Sequence, residues 1–460
     1  MSRGRLRSDP ARRAAYEAVH AVTTRDAYAN LVLPSVLERS GLHGRDAAFA
    51  TELTYGTLRN LGTYDAVLGA CLDRRVDDVD VDLLDVLRIG THQVLASRVP
   101  DHAAVSATVD LARDVLGARR TGLVNAVLRR VAGTDRDTWL IRLAPAADVD
   151  PLGHLAVTHA HPRWIVEAFH AALGDDLAQT QAALAADNVP ARVTLVARPG
   201  RSTPAELVAA GAESTSWSPF GASLASGPPA EVPAVREGRA GVQDEGSQLV
   251  AWALTRARVG AGDRAGSDRR WLDLCAGPGG KAALLTALAA QRGAHVMAVE
   301  RQPHRAELVS AAVSFWAATA AQVVTADGTQ PAWRDAAFDR VLADVPCSGL
   351  GALRRRPEAR WRRSPSDVEA LVPLQRDLLR AALVATRPGG VVAYVTCSPV
   401  VAETRDVVAA VLAGRNDVER VDARELLPAI PDLGPGPDVQ LWPHRHGTDA
   451  MYLAVLRRLD

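Results

Sequence analysis

The chain has 460 residues, 48% hydrophobic and 23% charged, an ordinary globular composition with apolar material for about three domains at roughly 150 residues each. Its 53 basic and 53 acidic residues cancel, which excludes a globally basic polyanion binder but leaves room for a local basic face. No apolar run approaches the ~18 residues of a membrane span, and no apolar stretch follows the basic N-terminus, so a cytoplasmic protein with reduced thiols and no membrane association is expected.

Residues 1–10 read as a basic, flexible tail. Residues 11–132 read as all helix, within a bundle domain drawn at 11–135. Apolar positions recur there at helical spacing, as in Leu83, Leu84, Val86, Leu87 and Ile89. Residues 133–150 are polar and rich in Asp and Pro, and read as a linker. Residues 151–240 read as a small α+β subdomain. It has helices near 163–173 and 175–186, a strand within 189–200 and a Ser/Pro/Gly-rich loop at 216–234. From residue 241 to 460 short apolar runs alternate with helical stretches, which predicts an α/β domain with a mainly parallel, Rossmann-like sheet. Residues 259–270 read as a mobile loop ahead of its first strand.

Only one of the 53 basic residues is Lys, at position 281. It closes the run DLCAGPGGK (273–281), which follows a strand and opens a helix. The run is not a phosphate-binding P-loop, because Cys275 and Ala282 stand where that motif needs Gly and Ser or Thr. Gly277, Gly279 and Gly280 let the backbone approach a ligand closely, and the helix N-terminus favours a carboxylate. Glu300 ends the next strand, placed for ribose hydroxyls, and Asp327 follows the third, placed for an exocyclic amine. An amino-acid carboxylate, a ribose and an adenine together describe S-adenosyl-L-methionine.

The four cysteines are Cys71, Cys275, Cys347 and Cys397. None forms a C-x-x-C pair, so neither a zinc site of the usual spacing nor a disulfide scaffold is expected. DRVLADVPCSG places Asp344 and Cys347 just beyond one strand, and VVAYVTCSP places Cys397 just beyond another. In a parallel sheet these ends share a rim with the glycine loop. A thiolate beside a methyl donor suits pyrimidine chemistry. Adding to carbon 6, it turns the ring into an enamine whose carbon 5 is nucleophilic. Asp344, if protonated, can serve ring nitrogen 3, and Lys281 can supply the field that favours a thiolate. Residue chemistry alone leaves open which cysteine attacks. RRRPEARWRR (354–363) then offers Arg354, Arg355, Arg356, Arg360, Arg362 and Arg363 for phosphates and Trp361 for stacking on a base.

These motifs resemble the RNA (cytosine-5) methyltransferases of the RsmB/NOP family. DLCAGPGGK resembles D-x-C-A-A-P-G-G-K, with Gly277 in place of Ala. DVPCSGLGALRRRPEARW resembles D-A-P-C-S-G-x-G-x-x-R-x-x-P-x-x-x-W, with Val345 in place of Ala. YVTCSP is similar to Y-x-T-C-S, and Glu403 follows as in the family's acidic segment. VQDEGSQ resembles the element before the cofactor loop, and Ala450 and Met451 depart from the closing strand pattern. RIGTHQVLASRVPDHAAVSATVDLAR resembles a NusB-like RNA-binding domain, which points to the bacterial ribosomal RNA branch.

The resemblance implies attack by Cys397 and assistance to product release by Cys347. It implies cofactor binding by Cys275, Ala276, Gly277, Pro278, Gly279, Gly280, Lys281, Glu300, Asp327 and Asp344. It implies ribosomal RNA as partner, free or in an early small-subunit particle, with a 16S cytosine of the 967 type as target. A monomer without metal is expected. The alternatives are a transfer-RNA cytosine-5 methyltransferase and a non-catalytic RNA-binding assembly or antitermination factor.

Overall fold

The computed structural model describes residues 8–260, 268–330 and 332–459. Most of the basic tail and the centre of the 259–270 loop lie outside the described residues. The chain divides into two compact units, one ending at Asn188 but including Leu353–Arg363, the other holding the remainder.

The first unit is all helical in its regular elements. Its first helix, Pro10–Arg25, starts where Asp9 accepts the Arg12 N–H at 2.9 Å and Pro10 presets the first turn. The helix Val81–Ala96 carries the predicted apolar stripe, and Leu83, Leu84, Val86, Leu87 and Ile89 are all buried. The expected linker at 133–150 is corrected. Asp135 caps a helix, Arg136–Leu143, whose Trp139 is buried with its indole N–H donating to Val131 O at 3.1 Å. One buried indole outweighs a polar local composition. The 151–240 subdomain is also corrected, because the compact division falls at Asn188. The helices Pro151–Thr158, Arg163–Ala172 and Leu177–Asp187 belong to the first unit.

The arginine segment has a structural role within this unit. Helix C-termini leave carbonyls without intrahelical partners, and cationic donors satisfy them well. Arg362 donates to Val22 O at 2.6 Å, to Asp26 O at 3.0 Å and to Ala27 O, at the end of the first helix. Arg360 is fully buried and donates to Ala160 O at 3.1 Å, Asn188 Oδ1 at 2.8 Å and Asp187 O at 3.3 Å. The Trp361 indole donates to Leu58 O at 2.8 Å, and its ring lies where a Cβ on Gly62 would come within 2.4 Å. Arg360, Trp361 and Arg362 are therefore not the RNA-facing groups expected from sequence. Arg356 is exposed, with its guanidinium 5.4 Å from the Tyr28 ring.

The second unit holds two sheets. Strands β1 (Thr194–Ala197), β2 (Ala212–Ser214), β3 (Gly221–Leu224) and β4 (Ala240–Val242) form a small antiparallel sheet in the order β2-β3-β1-β4. The expected loop at 216–234 contains β3. The small sheet joins the larger domain through the helix Glu245–Arg256. Gln248 on that helix donates to Leu195 O at 3.2 Å and accepts from Ser218 Oγ at 2.6 Å.

The larger sheet contains β5 (Arg270–Asp273), β6 (His295–Glu300), β7 (Ala321–Thr325), β8 (Phe338–Asp344), β9 (Thr386–Thr396), β10 (Val418–Val421), β11 (Val439–Gln440) and β12 (Tyr452–Arg458). The order is β10-β12-β9-β8-β5-β6-β7, with β11 paired to β12. From β9 to β7 every pairing is parallel, and β12 runs antiparallel to β9 and β10. The predicted Rossmann-like α/β domain is therefore present. The chain moves outward from β5 through β6 to β7, then returns to the other side of β5 as β8. That reversal opens a crevice at the carboxyl ends of β5 and β8. Ala450 and Met451, which depart from the closing-strand pattern, are buried beside it.

Trp361→Ala should destabilise the first unit by about 3 kcal/mol, the usual scale for removing a packed indole, in urea unfolding of the whole protein. Unchanged stability with weakened RNA binding would restore the stacking role for this side chain.

Candidate active site

Asp273 ends β5, Glu300 ends β6, Asp344 ends β8 and Thr396 before Cys397 ends β9. Asp327 lies two residues beyond β7. Parallel pairing delivers all of them to one rim of the sheet.

The glycine loop is tied at its start to two neighbouring strands. Leu274 N–H donates to Leu342 O at 2.9 Å and Ala276 N–H donates to Val299 O at 2.8 Å, pinning the turn between β8 and β6. Gly279 has φ +111°, and a Cβ there would come 2.7 Å from Ala312 Cβ. Only glycine meets both demands. A Cβ on Gly280 would meet nothing nearer than 3.9 Å, so the first residue of the helix Gly280–Ala290 leaves open space on its side-chain face. Its free N–H groups suit a carboxylate.

Gly277 N–H donates to Glu300 Oε2 at 3.1 Å, and Gln302 N–H donates to Glu300 Oε1 at 2.9 Å. A Cβ on Gly277 would sit 2.0 Å from Glu300 Oε2. The alanine of the family pattern would push this carboxylate aside, so Gly277 is matched to the observed Glu300 position. Arg305 locks the same corner, donating to Gly277 O at 2.7 Å with its Nε 3.6 Å from Glu300. Asp327 accepts the Thr329 hydroxyl at 2.7 Å and the Thr329 N–H at 2.9 Å, and these bonds hold its carboxyl below the usual range.

Lys281 lies on the first turn of the helix and reaches across to Asp344 Oδ2 at 2.8 Å. Burial alone would lower the pKa of its ammonium. The Asp344 charge and hydrogen bond outweigh burial, and the net shift is upward. Cys397 and Asp273 add to the same field. Asp273 is fully buried, and neither side-chain oxygen has a well-formed hydrogen bond. Burial first, then the Asp344 charge, pushes its pKa up to about 8. Burial, with the Asp273, Asp344 and Glu300 charges, likewise pushes the Cys275 thiol well up.

The Cys347 and Cys397 sulfurs lie 3.4 Å apart. The Cys397 turn is anchored by Gly351, whose N–H donates to Cys397 O at 2.9 Å. A Cβ there would come 2.8 Å from that oxygen. The thiol of Cys347 is pushed well up by its hydrogen bond to Cys397, then by burial and by the charges of Cys397 and Glu403. The structure thus brings together Lys281 with Asp344, Cys347 with Cys397, and Gly277 with Glu300. Arg360, Trp361 and Arg362 make their hydrogen bonds within the helical unit.

Sequence reasoning gave no role to Asp273, Arg305, Gln375 or Glu403. Asp273 carried one usable signal, an acid at the end of an apolar run. Arg305 carried none, since its partners are 28 residues or fewer away but meet only across a strand and a helix. Among the described residues no cluster of His, Cys, Asp or Glu could hold a metal ion, and no helix is long and apolar enough to cross a membrane.

Residues 264–457 match the family described as 16S rRNA methyltransferase RsmB/F, and residues 9–133 match the NusB family. A Mycobacterium tuberculosis protein named as a methyltransferase is 55% identical, over 98% of this chain and 97% of that protein. The ribosomal RNA small subunit methyltransferase B of Vibrio cholerae is 32% identical, over 90% of each chain. The crystal structure of PH0851 shares the fold, with a TM-score of 0.79 at 20% identity, covering 99% of this chain and 100% of that one. Pyrococcus horikoshii NSun6, solved with SFG, overlaps 65% of this chain and 98% of its own, with a TM-score of 0.53 at 15% identity.

The Asp273 shift has a consequence for stability. An unfolded aspartate titrates near pH ~4, and the folded one near 8. The unfolded chain therefore releases its proton first, and the group's contribution to folding is full below pH ~4 and lost as pH rises toward 8. Asp273→Asn should gain stability relative to the parent between pH 5 and pH 8 in thermal melts. An equal difference at both pH values would contradict the shift.

Proposed function

We propose that this chain, which belongs to the RsmB/F family of 16S rRNA methyltransferases, methylates carbon 5 of one 16S rRNA cytosine through a covalent cysteine–cytosine intermediate. It is an S-adenosyl-L-methionine-dependent RNA 5-methylcytosine methyltransferase with an N-terminal NusB domain. The single observation carrying the finer reading is the 3.4 Å pair of thiols beside the Lys281–Asp344 ion pair.

The cofactor supplies an electrophilic methyl group when bound. The residues present fit it. The open start of the helix at Gly280 suits its carboxylate, Glu300 its ribose hydroxyls and Asp327 its adenine amine. Cys275, Ala276, Gly277 and Pro278 form the intervening turn.

The ammonium of Lys281 acts on the Cys397 sulfur and favours its thiolate. That sulfur forms a bond to carbon 6, and the electron pair of the ring double bond shifts toward carbon 5 and the N3 side. Asp344 is the group to hold a proton at ring nitrogen 3. The Lys281 ammonium 2.8 Å away supplies that carboxylate with a proton donor. After transfer, a base removes the carbon 5 proton, the carbon 6–sulfur bond breaks and Cys397 leaves with its electron pair. Cys347, adjacent to that sulfur, assists release. Arg356, the exposed member of the arginine segment, is proposed to meet an RNA phosphate, with ribosomal RNA, free or in an early particle, as partner.

Cys347→Ser should accumulate a covalent RNA–protein adduct on denaturing gels, and Cys397→Ser should form none; the reverse pattern would exchange the two roles. Lys281→Arg should retain the fold but lower turnover at least tenfold, because a planar guanidinium does not replace a compact ammonium at a buried site. Unchanged turnover would remove Lys281 from the mechanism. Bisulfite sequencing of RNA from cells with and without the gene tests the target. Loss of one 16S rRNA cytosine signal is expected. Loss at a transfer RNA would move the substrate, and no loss would favour a non-catalytic RNA-binding factor.

A further inference from the structure

Each reactive cysteine is followed by a serine, and both serines converge on one buried carboxylate. Glu403 is fully buried at the end of the short turn Val401–Glu403. Its Oε1 accepts the Ser348 N–H at 2.7 Å and the Gln375 amide at 3.0 Å. Its Oε2 accepts the Ser398 hydroxyl at 2.6 Å and the Ser348 hydroxyl. The two hydroxyls are themselves 3.1 Å apart. Gln375 also donates to Pro346 O at 2.9 Å, which ties the residue before Cys347 into the same network. From β9, the Tyr394 hydroxyl donates to Glu403 O at 2.7 Å and fixes its backbone. In every side-chain bond the carboxylate is the acceptor. The two cysteine turns cannot separate without breaking bonds to it.

We propose that Glu403 is a positioning residue that clamps the Cys347 and Cys397 turns together and sets the two adjacent thiols apart in reactivity. This rests on the reading in which Cys397 attacks and Cys347 assists release. The groups acting on Cys347 include the Cys397 thiol, the Glu403 carboxylate and the buried Tyr394 phenol, which carry no positive charge, and the Gly349 backbone, whose hydrogen bond works the other way. The cation of the site, Lys281, acts on Cys397 instead. Negative charge on one side and positive charge on the other give two adjacent thiols different ionisation. A neutral clamp of the same shape would hold the turns but lose this difference.

The test is a short iodoacetamide pulse on the full-length protein across a pH series, with Cys347 and Cys397 quantified separately by peptide mass spectrometry. In the unmodified protein the Cys347 midpoint should lie above that of Cys397, with at least tenfold slower labelling at pH 8. Glu403→Gln should raise Cys347 labelling at pH 8 about fivefold or more and move its midpoint down, while Cys397 changes less than twofold. An unmoved Cys347 midpoint in the folded variant overturns the proposal. So does a rise at both thiols without a midpoint shift, which a merely structural role would give. If the variant does not fold, equal midpoints in the unmodified protein overturn it. No RNA is present, so the adduct and bisulfite experiments can fail independently of this one.

Discussion

Strand β5 pairs in parallel with β6 on one side and with β8 on the other, and every reactive group depends on that double pairing. Parallel strands end on the same rim, so an acid or thiol placed just after each strand is carried to a common edge. The reversal of chain direction around β5 keeps the loops after β5 and β8 from covering each other. The glycine loop and the Asp344–Cys347 turn therefore face one crevice. A shift of one residue in the β5–β8 register would exchange the faces of Asp273 and Leu272 and dismantle the site.

Crowding negative charge at that edge has a cost, which the side chains offset locally. Asp273, Glu300 and Asp344 approach one another, and the cations answering them are Lys281 and Arg305. Arg305 serves the Gly277–Glu300 corner, where a fork suits a backbone carbonyl and a carboxylate together. Lys281 serves the chemical corner, where a point charge can act on Asp344 and Cys397 at once. Asp273 has no hydrogen-bonded cation among the described residues, and burial, then the Asp344 charge, pushes its pKa up. The site is thus graded from a carboxylate-and-arginine end to a thiol-and-lysine end.

The arginine segment illustrates how composition can mislead. Six arginines and a tryptophan in ten residues have the chemistry of a nucleic-acid contact. The same chemistry suits helix C-termini, whose carbonyl oxygens carry partial negative charge and lack intrahelical partners. Arg360 and Arg362 donate to Asp187 O and Val22 O in the last turns of two helices, the Trp361 indole donates to Leu58 O near the end of a third, and its ring fills the space left by Gly62. Local composition cannot distinguish a phosphate oxygen from a peptide oxygen. Trp139 taught the same lesson in the supposed linker, where one indole overrode a run of polar neighbours.

The sequence by itself determined the elements and the chemistry. Periodicity placed the helical character of residues 11–132 and the strands from β5 to β9, because apolar spacing reports burial directly, but it missed the helix Arg136–Leu143. Strand-end acids, the glycine loop and the two cysteines were legible because parallel sheets bind at strand ends. Only the tertiary structure decided how those groups divide the work. The Lys281–Asp344 pair spans 63 residues, and the Glu403 clamp joins turns 50 residues apart. The boundary at Asn188 and the burial of Arg360 likewise rest on contacts between segments far apart in the chain. Such contacts form only after packing brings distant segments together, and spacing along the chain carries no record of which donor will reach which acceptor.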